Sequence, residues 1–275
     1  MRLSFKERLN SSINRNRSFL CIGLDLDYNR LPEGFSKDSK GILKYGKMII
    51  DITKDLVAVY KPNIAFFESL GVKGIETLQR LIEYIPNNIP VILDAKRADI
   101  GNTSKHYAKS VFDILNADAV TVNPYMGYDS LLPFFERKER YIFVLVLTSN
   151  EGAKDFEMLK CNGEPLFLKV AKKIKEWNFN KNIGAVVGAT KSEDLKLVRD
   201  ILKEEVFLIP GIGAQGGDIN KAIKNSVTKK GLSLFNVSRD IIFAGSLEDI
   251  RNRAEEYKKI TEKAFERYGY NKNNH

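Results

Sequence analysis

Short apolar runs and amphipathic stretches alternate along most of this chain. The runs occupy 19–25, 56–61, 90–96, 119–124, 141–148, 183–188, 206–210 and 233–237. They are rich in Val, Ile, Leu and Phe and show little polar alternation, as strands covered on both faces do. Between them apolar residues recur at three- and four-residue intervals, as in Ile42, Tyr45, Ile49 and Ile52, and again in Tyr107, Val111 and Ile114. That spacing predicts helices with one buried stripe. Ser246 with Asp249 three residues on predicts a capped start to a last helix, which continues through Ala254, Tyr257, Thr261, Ala264 and Tyr268.

Eight strand-then-helix units in 275 residues match a closed (β/α)8 barrel, the TIM barrel, in count and size. The expected architecture is α/β, with a single barrel domain over 1–268 and a disordered tail over 269–275 that carries Asn271, Asn273 and Asn274. A doubly wound open sheet is the alternative, but it more often has about five to seven strands.

Barrels of this kind place reacting groups at the C-terminal ends of their strands. The polar residues there are few: Asp25 after the first run, Lys61 and Asn63 after the second, Asp94 and Lys96 in the third with Asp99 just beyond, and Thr148, Ser149 and Asn150 after the fifth. Side chains two apart on a strand share a face, so Asp94 and Lys96 point the same way. Desolvation pushes a lysine toward neutrality and adjacent carboxylates push it back. Asp-x-Lys-x-x-Asp therefore describes an ammonium kept charged and held in place, suited to protonate a developing carbanion. A surface ion-pair cluster would also give this pattern; its position closing Pro-Val-Ile-Leu favours a site. Asp25, Lys61, Asp94 and Lys96 together make an array of alternating sign that suits a hydroxylated, anionic ligand. Lys61 reaching to the barrel rim and Asp25 capping a loop are the plainer alternatives.

Gly211, Gly213, Gly216 and Gly217 follow the seventh run, and Arg239 follows the eighth. Loops after strands seven and eight often hold phosphate in barrels. Glycines let backbone N–H groups approach an anion closely, and a guanidinium adds a bidentate contact. A tight turn, and a salt bridge between Arg239 and Asp240, are the structural alternatives.

Composition narrows the chemistry. There are 2 cysteines, Cys21 and Cys161, and 2 histidines, one of them His275. A disulfide framework and a Cys-rich zinc site are thereby excluded, and a Ser-His-Asp triad and an HExxH centre nearly so. Carboxylates, lysines, arginines and hydroxyls must do the work. The net charge of +9 fits an anionic small substrate, though much of it falls in solvated helices, as at Lys169, Lys172, Lys173 and Lys175. With no aromatic RNA-binding signature, nucleic acid is not an expected partner. No run reaches the ~18 apolar residues of a membrane span, and the basic stretch 1–17 lacks an apolar leader core. The expectation is a cytoplasmic protein with no membrane partner.

Leu-Asp-Ala-Lys-Arg-Ala-Asp-Ile-Gly-Asn-Thr at 93–103 resembles the signature of orotidine 5′-phosphate decarboxylases. Pro-Gly-Ile-Gly-Ala-Gln-Gly-Gly-Asp at 210–218 resembles their phosphate-gripping loop. The likeness extends from Asp25 to Arg239 and is closest to the branch with Lys-Pro-Asn after strand two and Thr-Ser-Asn after strand five. It implies decarboxylation of orotidine 5′-monophosphate to uridine 5′-monophosphate, the last step of de novo UMP synthesis, with Lys96 as proton donor. It implies a homodimer with shared sites and no metal or organic cofactor. By the same resemblance Asp25, Lys61 and Asn63 serve the ribose, and Asp94, Lys96 and the partner subunit's Asp99 form the charged network. The partner subunit's Thr103 closes the ribose pocket, Ser149 meets the pyrimidine edge, and Gln215, Arg239 and the loop of Gly211 and Gly213 grip the phosphate. Two positions depart from the family pattern: Glu151 stands where proline usually follows Ser-Asn, and Asp240 where a small neutral residue usually follows the arginine. One rival is a magnesium-dependent sugar-phosphate barrel, such as a keto-gulonate phosphate decarboxylase or hexulose phosphate synthase. Those hold the cation with a carboxylate at the end of strand two, where this chain has Lys61. A non-catalytic anion-binding barrel is the other, and the intact Lys96, Asp94 and Asp99 argue against it.

Overall fold

In the computed structural model, which describes residues 3–269, each apolar run becomes a parallel strand. The strands are β1 (Leu20–Leu24), β2 (Val59–Pro62), β3 (Ile92–Arg97), β4 (Ala119–Val122), β5 (Tyr141–Leu147), β6 (Ile183–Val187), β7 (Phe207–Ile209) and β8 (Ser233–Val237). Each pairs with its neighbours in chain order, and β8 pairs with β1. Bridges between Tyr60 and Val91 and between Asn63 and Asp94 join β2 to β3 and complete the ring. This is the expected (β/α)8 barrel. β2 starts later than its apolar run because the Leu56 N–H is engaged in a turn to the Thr53 carbonyl at 2.9 Å.

Side chains from the strands and the inner faces of the helices form one apolar core. The last helix, Leu247–Tyr268, is capped by Ser246 and Asp249 reciprocally, as the spacing predicts. Of the expected tail, Gly269 ends this helix with φ 88, and 270–275 lie outside the described residues.

Two elements were not anticipated. The helix Phe5–Asn16 opens on a Ser4–Glu7 capping box and buries Phe5, Leu9 and Ile13. Phe5 stacks on Tyr141, the first residue of β5, so this helix covers the N-terminal mouth of the barrel. Arg8 fastens it there through an ion pair with Asp118 and a hydrogen bond to the Asn87 carbonyl at 2.7 Å. The second is a hairpin of Lys160–Cys161 and Glu164–Pro165, turned by Asn162 and Gly163 with φ 55 and 82. Asn-Gly in left-handed conformations is the favoured two-residue hairpin turn. The hairpin exposes Cys161, whereas Cys21 in β1 is buried; both thiols are free.

The segment after β3 also differs from its pattern. An α-helix runs over Gly101–Lys109 and widens to a π-helical turn over Ser110–Ile114. Val111 packs into the core of its own chain and Ile114 faces solvent. The apolar spacing there is split between the barrel core and solvent.

Candidate active site

The C-terminal ends of the strands surround a cavity of about 350 Å³. Of the predicted residues, Asp25, Lys61, Asn63, Asp94, Lys96, Ser149, Gly211, Gln215 and Arg239 line it. Asp99, Thr103 and Gly213 do not. The Asp99 carboxylate accepts from the Ile100 N–H at 2.8 Å, Thr103 is exposed on the following helix, and Gly213 faces Asp240 and Tyr257 instead.

Register explains how the charged residues meet. Gly23 in β1 pairs with Lys61 in β2, and Asn63 bridges to Asp94 in β3. Gly23 has no room for a side chain, since a Cβ there would fall 1.9 Å from Ser238 Oγ. Lys61 Nζ thus lies 2.9 Å from Asp94 Oδ2 and 3.8 Å from Asp25 Oδ1. Lys96 Nζ donates to Asp94 Oδ1 at 2.7 Å. The chain of charges Asp25, Lys61, Asp94, Lys96 is therefore real and alternating. Its two ends differ: the Lys61 side chain is 4% exposed and that of Lys96 49%.

Burial alone would lower the Lys61 pKa, but the carboxylates of Asp94 and Asp25 outweigh it and hold the ammonium above its ordinary value. Burial would likewise raise Asp94; Lys61 and Lys96 overcome that and hold its carboxyl well below the usual range. Both groups are charged at neutral pH. Among the described residues Asp25 Oδ1 is buried and accepts no hydrogen bond, so it offers a vacant acceptor.

Lys96 reaches Asp94 by a route that strand periodicity does not contain. The β3–β4 register jumps from Leu93–Val120 to Arg97–Val122, leaving a bulge between. Lys96 sits in it with φ 47, a left-handed conformation that costs a lysine roughly 1–2 kcal/mol. Thr121 supports the bulge. Its hydroxyl accepts from the N–H groups of Ala95 and Lys96, both at 3.0 Å, and donates to Asp94 Oδ1 at 2.9 Å. Thr121 was not among the sequence candidates, although a lone hydroxyl in Ala-Val-Thr-Val was a visible signal. Asn236, in Ser-Leu-Phe-Asn-Val, is a second such interruption; it accepts from Cys21 Sγ at 3.4 Å.

Across the cavity Ser149 Oγ donates to Gln215 Oε1 at 2.6 Å, linking the end of β5 to the loop after β7. The Glu157 carboxylate accepts from the Thr148 N–H at 2.6 Å and from its hydroxyl at 2.9 Å, fixing the strand end that carries Ser149. Nothing in the sequence pattern marked Glu157. The Asn63 amide oxygen is taken by the Ala65 N–H at 3.1 Å, which leaves its NH2 for a ligand. The loop after β7 closes on itself through Gly217 N–H to the Gly211 carbonyl at 2.9 Å, with Gly211, Gly213 and Gly216 all at positive φ. Arg239 is exposed and forms no salt bridge among the described residues. The alternative pairing with Asp240 is not made.

The cavity thus joins an ammonium–carboxylate array on one wall to a glycine loop and a free guanidinium on the other. No helix among the described residues is long and apolar enough to cross a membrane. The model of the family "Orotidine 5'-phosphate decarboxylase / HUMPS family" matches residues 18–257. The orotidine 5′-phosphate decarboxylase of Herpetosiphon aurantiacus is 47% identical over 242 residues, spanning 87% of this chain and 90% of that one. Among solved structures, the OMP decarboxylase of Leishmania donovani superposes with a TM-score of 0.86 at 38% identity, over 95% of this chain and 98% of that one. The UMP synthase of the same organism superposes with a TM-score of 0.87 at 40% identity, over 96% of this chain and 57% of that longer one. Matched in sequence through nearly the whole barrel and in backbone over 95% of its length, the chain belongs to the orotidine 5′-phosphate decarboxylase family.

Proposed function

We propose that this chain decarboxylates orotidine 5′-monophosphate to uridine 5′-monophosphate and carbon dioxide, with Lys96 as the proton donor. The carrying observation is the Lys61–Asp94–Lys96 array, at 2.9 and 2.7 Å, opposite a glycine loop and an unpaired Arg239. Breaking the bond from C6 to the carboxylate leaves its electron pair on C6, in the ring plane and poorly delocalised. A fixed ammonium next to C6 stabilises that charge as it develops. Transfer of a proton from Lys96 Nζ then forms the C6–H bond, and the neutral lysine regains its proton from solvent. Asp94 keeps Lys96 in place; Lys61, pinned on the other side of the same carboxylate, stops Asp94 from following it.

Substrate contacts follow from what is vacant. Asp25 Oδ1 lacks a donor, which fits a ribose hydroxyl, with Lys61 and Asn63 beside it. Ser149 and Gln215 already hydrogen-bond each other and together can meet the pyrimidine edge and a phosphate oxygen. Arg239 and the N–H groups of the loop from Gly211 to Gln215 that face the cavity bind the phosphate. Held far from C6, the phosphate contributes binding that can close the loop over the reacting carbon.

Asp99 and Thr103 enter this reading from a partner subunit. Both lie outside the cavity of their own barrel, which supports a homodimer in which each chain completes the other's site. Nucleic acid and membrane have no part in it, and a cytoplasmic setting agrees with two free cysteines.

The test is to add orotidine 5′-monophosphate in the presence of EDTA and follow the loss of its ultraviolet absorbance. Turnover that survives the chelator is expected, because the β2 end presents Lys61 where a cation-binding barrel needs a carboxylate. Activity that vanishes with EDTA and returns with magnesium would instead support the sugar-phosphate rival.

A further inference from the structure

Asp240 follows the phosphate-binding Arg239 and departs from the family pattern by its charge. A free carboxylate at this point would pair with Arg239 or repel a phosphate dianion. Neither Asp240 nor its partners line the cavity. Its Oδ2 accepts the Tyr257 hydroxyl at 2.6 Å and faces Arg253 Nε at 3.6 Å. Both partners come from the last helix, Leu247–Tyr268. Asp240 and Tyr257 also back the glycine loop: a Cβ on Gly213 would lie 3.0 Å from Asp240 Cβ and 3.0 Å from the Tyr257 hydroxyl. Gly213 has φ 73, so only a residue without a side chain both turns there and rests on this shelf.

We infer that Tyr257 and Arg253 are positioning residues for phosphate binding: both hold the Asp240 carboxylate away from Arg239, and Tyr257 also braces the Gly213 turn against the last helix. The inference rests on the phosphate reading above. It makes the last helix part of the substrate-binding apparatus, although none of its residues reaches the cavity. It also accounts for an acidic residue beside a phosphate grip, since the charge is directed to the opposite side and matched there.

The experiment compares orotidine 5′-monophosphate with orotidine, the nucleoside without phosphate, as substrates for four variants. Arg239→Ala tests the underlying reading and is expected to lose far more on the nucleotide than on the nucleoside. Tyr257→Phe is expected to raise the nucleotide KM about ten-fold while kcat, and turnover of the nucleoside, change less than about two-fold. Adding Asp240→Asn to Tyr257→Phe removes the misplaced charge and is expected to restore most of the lost affinity. Arg253→Gln, on a half-exposed side chain, is expected to shift the nucleotide KM the same way by less, and it carries the test should Tyr257→Phe fold poorly. Equal losses on both substrates for Arg239→Ala overturn the phosphate reading itself. A selective Arg239→Ala with an unchanged nucleotide KM in Tyr257→Phe and Arg253→Gln overturns only the inference. So does a double variant as impaired as Tyr257→Phe, because the displaced charge would then not be the cause.

Discussion

Asp94 accepts from two ammonium groups and one hydroxyl, and its loss would strand the more buried of the two cations. In Asp94→Asn, Lys61 keeps only Asp25, at 3.8 Å, inside a site that leaves it 4% exposed. Breaking a buried pair in this way costs about 3–5 kcal/mol, which urea denaturation at neutral pH would measure. The pH dependence has a definite sign. Asp94 titrates below its unfolded value, so its contribution is present above a pH of ~3.9 and is lost as the pH falls through the depressed folded value. Lys61 titrates above its unfolded value, so its contribution is present below ~10.4 and is lost as the pH rises through the elevated one. Asp94→Asn should therefore flatten the acid limb of the stability profile; an acid limb identical to that of the unsubstituted chain would show that other carboxylates govern it. Lys96→Ala is a different kind of change. The side chain is half-exposed, so stability should move little, while turnover should fall by several powers of ten at ~1.4 kcal/mol each. A substrate analogue should still bind through its ribose and phosphate, and near-normal turnover would refute the assignment of the proton donor. At this scale the reading from sequence reached Asp25, Lys61, Asp94 and Lys96, because each breaks an apolar run at the end where barrels do chemistry. It missed Thr121 and Glu157, whose roles depend on which strand and loop lie next to them in space.

The bulge in β3 is where an element departs from its own periodicity to serve the site. Two-residue alternation put Asp94 and Lys96 on one face, and they do meet, but through a left-handed lysine and a displaced register. Thr121→Val keeps the volume and removes the hydroxyl that receives two backbone N–H groups and fixes Asp94. Stability should drop by about 1–3 kcal/mol, and kcat should fall more than KM rises, with Thr121→Ser recovering most of both. Unaltered melting and kcat in Thr121→Val would mean the bulge is held by its neighbours alone. Capping chemistry was plain in advance for the last helix. The same signal, Ser4 with Glu7 at the head of the stripe Phe5, Leu9 and Ile13, was present at the start of the chain but obscured there by basic and polar residues. The strand runs were legible because burial on both faces leaves little polar interruption, whereas the short hairpin at 160–165 depends on two turn residues and no apolar pattern at all.

For the whole molecule, the open question is how many chains make one site. Lys96→Ala and Asp99→Ala chains, each expected to be inactive alone, would test it when mixed under conditions where subunits exchange. In a mixed dimer one site receives both lesions and the other receives Lys96 and Asp99 intact. Random exchange leaves half the dimers mixed, so about a quarter of the sites should recover. Demonstrated exchange with no recovery would place both residues in the same barrel. The fold was readable at this scale because strand count and spacing admit few closed arrangements. Of the site residues expected from the sequence, Asp99, Thr103 and Gly213 do not line the cavity of their own barrel, because strand ends say where a residue starts but not where the following loop carries it.

The two free thiols sit at opposite extremes of this architecture, and that gives the molecule a clock of its own. Cys161 stands in solvent on the hairpin. Cys21 is sealed inside the ring beneath Lys61, where burial pushes its thiol up to about 12. Thiolate is the reactive form, so a disulfide reagent at neutral pH should consume one equivalent at once and the second only as the ring comes apart. The slow phase would then time barrel opening directly in the unlabelled, unsubstituted chain. It should lengthen when a phosphate-bearing ligand occupies the site, because binding to the closed form alone depopulates the open one. A second equivalent consumed as fast as the first would mean that the barrel admits reagent between β1 and its neighbours without unfolding.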